Sequence, residues 1–343
     1  MRILVIKMSA IGDVILATSL IPALKKKYPD SHLAWFAEPR VVELLEGNPL
    51  LDEIIVWNRK EWTRLFKSLR WIQLSREIFD LRKKLKNARF DLVLDAQCLL
   101  KSSFWAWVSG APRRVGFKSK ERSQIFMTES FTRDYEYEMI SAESRQLANH
   151  IGISSNSMPM SIHPSDRVRK EAREKIEKNK IIGKYAVICP FTTRPQKHWL
   201  ENYWQELVPE LIAKHRLSLL IMGGPDNTEA ANRFETFTDK MVSLAGQTSL
   251  IEGAAIIEGA EFLIGVDTGM THLGSAMKTP TVGIWGSTRP YLKGETAQTV
   301  ILYDHLECSP CHRRPTCNGA FTCMQEITPK RILDAVDQAL ETS

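Results

Sequence analysis

The sequence lacks both a membrane-spanning run and the two commonest nucleotide-binding motifs. No apolar stretch reaches the roughly 18–20 residues that cross a bilayer. No G-x-G-x-x-G follows the first predicted strand, and no G-x-x-x-x-G-K-[ST] occurs in the 343 residues. These absences argue against a standard dinucleotide-binding domain and a P-loop ATPase. A signal-peptide pattern is also missing, because Asp13 interrupts the first apolar stretch, so we expect a cytoplasmic protein.

Apolar segments of strand length alternate with helical segments in both halves of the chain, and a polar run over 165–180 separates the halves. Strands separated by helices predict parallel βαβ units. The pattern therefore predicts an α/β protein with two Rossmann-like domains facing each other. The strand-like segments are Ile3–Ile6, Leu33–Phe36, Glu53–Val56, Asp91–Asp95, Tyr185–Cys189, Leu217–Met222, Met241–Leu244, Phe262–Val266 and Thr281–Trp285.

The loop after the first strand carries a carboxylate. The segment "MSAIGDVI" follows Ile3–Ile6, and Asp13 stands where helical periodicity begins. Open α/β sheets bind ligands at the carboxyl ends of their strands. Asp13 therefore has two interpretations: a helix cap, which is common for Asp, or a catalytic base.

The loop after the strand Tyr185–Cys189 combines hydroxyls with a positive charge. In "PFTTRPQKHW", Thr192 and Thr193 bring hydroxyl and amide groups to the strand end, and Lys197 brings an ammonium. These are the groups that bind a diphosphate when no metal is supplied. The alternative is a solvated loop in which threonine serves as a cap.

A second strand end of the same kind occurs in "IGVDTGMTHLGSA". Asp267, Thr268 and Gly269 follow a buried strand, and a predicted helix begins nearby. The amides at that helix start favour phosphate, and glycine permits close backbone approach. Phosphate would repel Asp267, so sugar hydroxyls are its better partner. His272 lies near the same helix start, although a lone histidine there is more often structural. Together these groups suggest a nucleotide-sugar.

Positive charge is concentrated in one region rather than spread along the chain. From Arg59 to Arg89 there are eleven Lys or Arg residues against three acids, with tryptophans interleaved, and a second basic cluster runs from Arg113 to Arg122. Such a surface suits nucleic acid, an anionic membrane face or a phosphorylated amphiphile. The alternative is a solvated helix face whose tryptophans lie in the core.

Four of the six cysteines fall within sixteen residues, in "CSPCHRRPTCNGAFTC". This density is typical of a tetrathiolate site, so we expect a structural zinc or iron held by Cys308, Cys311, Cys317 and Cys323. Four thiolates leave no open position for catalysis. Reduced thiols without metal are the alternative.

The segments "MSAIGDVI", "DAQCLLKSS", "TTRPQKHW" and "VDTGMTHLGSA", in this order along nearly the whole chain, resemble the signature segments of glycosyltransferase family 9, the ADP-heptose:lipopolysaccharide heptosyltransferases. The resemblance implies the GT-B fold, with two Rossmann-like domains facing each other across a cleft. Residues 1–165 would bind the acceptor and residues 166–327, with the Cys-rich loop 308–323, the nucleotide-sugar. Residues 328–343 would form a C-terminal helix that packs back on the N-terminal domain.

The resemblance also implies roles for individual residues. Asp13 would be the general base and Lys197 would meet the charge on the leaving diphosphate. The acceptor would contact Ser9, Arg59, Lys60, Arg64, Lys101 and Arg122. The donor would contact Thr192, Thr193, Lys197, Glu229, Asp267, Thr268, Gly269 and His272.

By the same resemblance, the enzyme would be an inverting transferase that moves heptose from ADP-heptose to the Kdo of Kdo-lipid A. It would need no catalytic cofactor and would work as a peripheral protein at the cytoplasmic face of the inner membrane. One alternative is a family-9 enzyme with another acceptor, either a later core heptose or a protein hydroxyl. Another, from a different class, is a zinc-knuckle protein that binds nucleic acid.

Overall fold

The computed structural model describes residues 1–134, 138–294 and 298–341. The chain divides into two compact units: Met1–Glu136 with Ser141–His163, and Tyr137–Ile140 with Pro164–Ser343. Each unit contains a six-stranded sheet in which the paired strands are parallel. The predicted α/β class with two Rossmann-like domains is confirmed. No helix in the described ranges is long and apolar enough to cross a membrane.

The first sheet is built around β1, which pairs with β2 on one side and β4 on the other. Ile3 and Val5 enter the core on one face of the sheet, and Leu4 and Ile6 enter the core on the opposite face. The strand order is β3-β2-β1-β4-β5-β6, so the direction of chain progression reverses between β1 and β4. The elements are β1 Arg2–Ile6, α1 Ile11–Ala17, α2 Leu20–Lys27, β2 His32–Ala37, α3 Glu43–Glu46, β3 Glu53–Val56, α4 Arg59–Lys67, α5 Trp71–Asn87, β4 Leu92–Asp95, α6 Leu100–Val108, β5 Arg113–Phe117, β6 Glu129–Phe131 and α7 Ala142–His150.

The second sheet repeats this arrangement around β7. Its strand order is β12-β11-β10-β7-β8-β9, and the reversal falls between β7 and β10. All five residues of β7 are buried, as expected for a strand covered on both faces. The elements are α8 Asp166–Lys178, β7 Tyr185–Cys189, α9 Glu201–His215, β8 Ser218–Ile221, α10 Thr228–Glu235, β9 Met241–Ser243, α11 Leu250–Glu258, β10 Leu263–Val266, α12 Gly269–Ala276, β11 Thr281–Trp285, β12 Thr299–Tyr303, α13 Thr322–Gln325 and α14 Pro329–Glu341.

The C-terminal helix α14 packs against elements of the second unit. It contacts α9, β11 and β12. Ile332, Val336 and Ala339 are fully buried in the core of that unit. These residues recur at helical spacing and form one apolar stripe, so the second sheet supplies the surface that the stripe requires.

Truncating this stripe should destabilise the second unit. We expect Ile332→Ala to lower the free energy of unfolding by about 2–5 kcal/mol, because the fully buried side chain leaves a cavity. Asp334→Ala, on the exposed side of α14, should change it by less than about 0.5 kcal/mol. Urea denaturation of both variants measures the difference. Equal stability of the two variants would contradict this packing.

Candidate active site

The carboxyl edge of the second sheet gathers four loops around the reversal point between β7 and β10. They cover residues 190–200 after β7, 222–227 after β8, 267–268 after β10 and 286–294 after β11. In open α/β sheets ligands bind at this point, outside the carboxyl ends of the strands. The groups that face one another here form the candidate site of this unit.

Asp267 is shared by side chains from two neighbouring loops. Lys197 Nζ and Thr288 Oγ1 both donate to its Oδ2 atom. Thr192 Oγ1 donates to the Asp267 carbonyl over 3.5 Å. The Lys197 and Asp267 side chains are only 14% and 16% exposed, so this ion pair is largely withdrawn from water. The structure thus brings Thr192, Lys197 and Asp267 together, from the two segments that the sequence analysis singled out.

The start of α12 lies directly beside this cluster. Thr268 precedes the helix in an extended conformation, and its side chain makes no cap hydrogen bond. The first amides of a helix have no partner within the helix, so those beginning at Gly269 are suited to an anion. Lys197 and the helix start therefore supply positive charge on the same sheet edge.

His272 is largely buried and already has a hydrogen-bond partner in the protein. It lies in α12 with only 8% of its surface exposed. Its Nδ1 atom is 2.7 Å from the hydroxyl of Tyr291, and its ring also contacts Trp285. Burial, followed by the charge of Asp267, raises the pKa of Tyr291 well above its usual range. Tyr291 therefore stays a neutral hydroxyl that orients the imidazole.

Two predicted donor residues stand apart from this cluster. Thr193 is exposed in the loop after β7, and Glu229 is exposed in the first turn of α10. Within the described ranges, neither side chain has a hydrogen bond or an ion pair. Both side chains are therefore accessible to a ligand, but no hydrogen bond or ion pair among the described residues holds them in one orientation.

The motifs missed Thr288 and Tyr291, which both follow β11. The sequence pattern predicts the strand Thr281–Trp285 but carries no motif that singles out the polar residues beyond its carboxyl end. The rule that pointed to Asp267, a polar residue at the end of a buried strand, applies equally to Thr288.

In the first unit, the loop after β1 is tied to the loop after β4. Gln97 Oε1 accepts hydrogen bonds from the amides of Met8 and Ser9, at 3.0 Å and 3.1 Å. Lys7 Nζ donates to the Ala96 carbonyl at 3.0 Å. These bonds bridge the reversal point between β1 and β4 and fix the segment that leads into α1.

Asp13 lies on α1 just after that segment, and its side chain is exposed. Its Oδ2 atom accepts a hydrogen bond from the Ala10 amide over 3.2 Å, which satisfies an amide at the helix start. The other oxygen, Oδ1, has no hydrogen-bond partner among the residues that the structure describes. Asp13 therefore helps to close the helix start and still presents an open carboxylate oxygen to solvent.

The predicted acceptor residues differ in whether their side chains already form ion pairs within the chain. Arg59 donates to the largely buried Glu38 at 3.1 Å, and Arg64 makes a two-bond pair with Glu61. Ser9 is fixed through its amide, whereas Lys101, in the first turn of α6, has no ion pair in the described part of the chain. Lys60 and Arg122 are exposed and, within the same residues, equally unpaired.

Beneath the loop after β4 lies a fully buried carboxylate, Asp95. It accepts hydrogen bonds from the hydroxyls of Ser102 and Ser103 and from the amides of Gln97 and Cys98. Burial raises the pKa of Asp95 despite these four donors. The carboxylate holds the loop that carries Gln97 in its observed shape.

The four clustered cysteines do not form the predicted metal site. No group of three or more His, Cys, Asp or Glu side chains in the described residues is arranged to hold a metal ion. All four cysteines are free thiols. Cys323 is buried beside Gly286, and the Cys317 sulfur accepts a hydrogen bond from the Phe321 amide. The described residues therefore do not support a tetrathiolate zinc or iron site.

Thiol reactivity should separate the buried cysteines from the exposed one. Burial, with the charge of Asp95, raises the pKa of Cys98 to about 12, and burial raises that of Cys189 further. At about pH 8 both remain unreactive thiols, whereas Cys308 is exposed. We expect iodoacetamide to label Cys308 in the native protein, and Cys98 and Cys189 only after unfolding in urea. Peptide mass spectrometry detects each adduct, and native labelling of Cys98 would contradict the burial described here.

Comparison with known proteins identifies the family. The family model described as glycosyltransferase family 9 (heptosyltransferase) matches residues 78–321. Lipopolysaccharide heptosyltransferase 1 of Pseudomonas aeruginosa is 26% identical, over 99% of this chain and 98% of that protein. This agrees with the resemblance carried by the four sequence motifs.

Solved structures give the same fold. The crystal structure of a glycosyl transferase family 9 protein from Veillonella parvula has a TM-score of 0.82 at 22% identity and covers 100% of this chain and 98% of that chain. The structure of E. coli heptosyltransferase WaaC with ADP has a TM-score of 0.76 at 21% identity. The match covers 99% of this chain and 100% of that chain. The fold is therefore of the GT-B type. Because the family model covers more than half of its length, the chain belongs to glycosyltransferase family 9, the heptosyltransferases, and is a glycosyltransferase.

Proposed function

We propose that this chain is an inverting heptosyltransferase that transfers heptose from ADP-heptose to the Kdo of Kdo-lipid A in the lipopolysaccharide inner core. The observation that carries the proposal is the cluster at Asp267, where Lys197, Thr288 and the start of α12 meet at one sheet edge. A cation, hydroxyls and free helix amides are the groups that an ADP-sugar needs.

In this proposal the diphosphate of the donor binds Lys197 and the amides at the start of α12. An ammonium has three donors, so Lys197 can contact phosphate oxygens while it keeps its bond to Asp267. Asp267 repels phosphate and therefore faces the heptose hydroxyls. The remaining donor contacts are assigned to Thr192, Thr193, Thr268, Gly269 and His272, with Glu229 at the ribose.

Asp13 is the proposed general base, acting on the acceptor hydroxyl. The hydroxyl oxygen attacks the anomeric carbon of heptose, and the bond from that carbon to the diphosphate oxygen breaks with inversion. The bonding electrons leave on ADP, and the hydroxyl proton passes to Oδ1 of Asp13. The charge that develops on ADP is met by Lys197 and helix amides, and such stabilisation is usually the largest contribution to catalysis.

The acceptor is anionic, and the proposed contacts are cationic or polar. Lys101, Lys60 and Arg122 are exposed or half-buried cations without an ion pair in the described residues, so they can meet carboxylates and phosphates without first losing a partner. Arg59 and Arg64 would share their charge with Glu38 and Glu61. Ser9 would contact the acceptor from the loop beside Asp13. A lipid-linked acceptor places the enzyme at the cytoplasmic face of the inner membrane as a peripheral protein.

Purified enzyme incubated with ADP-heptose and a panel of acceptors tests the proposal as a whole, with products read by mass spectrometry. Transfer to Kdo-lipid A is the expected result. Transfer only to a later core heptose or to a protein hydroxyl would change the acceptor but keep the donor chemistry. Absence of transfer from ADP-heptose to every acceptor would overturn the proposed function.

Replacing the proposed base should separate chemistry from binding. We expect Asp13→Asn to lower the turnover number about 10²–10⁴-fold, because the amide cannot accept the proton. Affinity for ADP, measured by calorimetry, should stay unchanged because the proposal assigns Asp13 to the acceptor and the diphosphate to Lys197. Asp30→Asn, at another exposed aspartate of the same unit, is the matched control. Full turnover in Asp13→Asn would remove Asp13 from the mechanism.

Removing the proposed diphosphate cation should weaken donor binding. We expect Lys197→Ala to reduce ADP affinity by about 1–3 kcal/mol, the scale of a lost hydrogen bond to a charged group. Lys184→Ala is the control, because it also removes an ion-paired lysine of the second unit, in this case from Glu261 at the surface. Calorimetric titration with ADP gives both affinities, and equal values for the two variants would count against this assignment.

A further inference from the structure

Exposed apolar side chains are concentrated on one side of the first unit. Fourteen large apolar side chains are exposed in the described residues, and ten of them lie between Phe66 and Ile125. They belong to α4, α5, α6 and the adjoining segments, which cover one face of the first sheet. Scattered exposed apolar residues are normal, but a concentration of this kind marks an interaction surface. The more-than-half-exposed members, called here the apolar patch, are Phe66, Leu69, Ile72, Phe79, Trp107 and Ile125.

Aromatic packing joins these helices into one platform. Trp57, Trp62 and Trp105 form a triangle with ring centroids 5.8–5.9 Å apart and connect the start of α4 to α6. Phe66 packs edge-on against Trp71 at 4.7 Å, which joins α4 to α5. The patch therefore stands on a packed layer and needs no rearrangement to form.

Unpaired cations accompany the apolar patch. Lys67, Arg70, Arg76, Arg82 and Lys83 have no ion pair in the part of the chain that the structure describes, and Lys86 has none there either. On α5, Arg82 and Lys83 follow Phe79 by three and four residues, so they extend the exposed side on which Phe79 lies. The surface thus combines apolar side chains with an excess of unpaired positive charge, since only two acids of α5, Glu77 and Asp80, stand unpaired among the same described residues.

This combination selects one class of partner. Two copies of the chain meeting through this face would bring like charges together, which disfavours a symmetric dimer. Nucleic acid would pair with the cations but would not cover isoleucine and phenylalanine side chains. An anionic bilayer accepts both, because apolar side chains enter the headgroup boundary while Lys and Arg meet anionic headgroups.

We propose that the outer surface of α4, α5 and α6 docks on an anionic phospholipid bilayer, with the apolar patch inserted at the interface and the free cations on the headgroups. The helix α6 begins at the carboxyl edge of β4, the sheet edge on which Asp13 lies, so docking through α6 holds this edge near the lipid surface. This docking would bring the enzyme to a lipid-linked acceptor, so its biological purpose rests on the proposed function.

Vesicle flotation tests the docking without any sugar substrate. The full chain should float with vesicles that contain phosphatidylglycerol and stay at the bottom with vesicles of phosphatidylcholine alone. The variant Leu69→Asn/Ile72→Ser/Phe79→Ser should lose about tenfold or more of this binding, because three inserted side chains are removed. Ile182→Ser, at an 89% exposed isoleucine of the second unit, is the matched control and should bind like the wild type.

Charge is tested separately. Arg82→Gln/Lys83→Gln/Lys86→Gln should weaken binding to the anionic vesicles, and the weakening should shrink as salt is raised. Arg173→Gln/Lys178→Gln/Lys180→Gln removes the same charge from an exposed region of the second unit and should have less effect. Thermal melting should be unchanged in every variant, because each replaced side chain is exposed.

The outcomes distinguish this proposal from the function on which it rests. Equal flotation of the apolar variant and the wild type would overturn the docking surface. Vesicle-independent dimerisation that the apolar variant abolishes would assign the patch to a second copy instead. With acceptor tests, the apolar variant should transfer normally to a soluble, deacylated Kdo acceptor and poorly to Kdo-lipid A in vesicles. If the wild type floats but transfers heptose to neither acceptor, the proposed function is overturned and the docking surface is retained.

Discussion

The second unit's candidate site depends on one ion pair, the contact between Lys197 and Asp267. It ties the loop after β7 to the loop after β10, and Thr288 adds the loop after β11 through the same carboxylate oxygen. Both charged side chains are largely withdrawn from water, so neither can be lost without leaving the other buried and uncompensated. The pair therefore fixes three strand-end loops against one another. It also determines the position of the Lys197 ammonium beside α12.

The same pair explains how a negative side chain can belong to a site for a negative ligand. In the proposed mechanism, Asp267 holds the Lys197 ammonium in place but repels the diphosphate, so the phosphates are confined to the cation and the amides of α12. The sugar is then the part of the donor that approaches the carboxylate. A lysine without this partner would carry the same charge but lose its fixed direction, since its four-carbon stem is flexible.

The sequence predicted the fold and indicated which loops carry the candidate site, because both follow one local rule. The segment that follows a buried parallel strand lies at the carboxyl edge of the sheet, and polar residues in such segments include Asp13, Lys197 and Asp267. The same rule could have found Thr288. The packing of α14 could not be predicted, because its apolar stripe indicates burial but not which sheet buries it. The cysteine spacing failed for a related reason: spacing does not show that Cys323 points into a core.

The two carboxylates at the two reversal points differ in a way that suits them to different tasks. Asp267 Oδ2 accepts from two donors, one of them a cation, and the side chain is only 16% exposed, so this carboxylate holds loops together. Asp13 uses Oδ2 for the Ala10 amide and leaves Oδ1 without a partner among the described residues. Gln97 anchors the segment before Asp13 through two backbone amides, so the carboxylate starts from a fixed backbone although its side chain is exposed. A general base needs an accessible lone pair on a positioned oxygen, and Asp13, the exposed carboxylate of the two and the one without a bound cation in the described part of the chain, meets this requirement better.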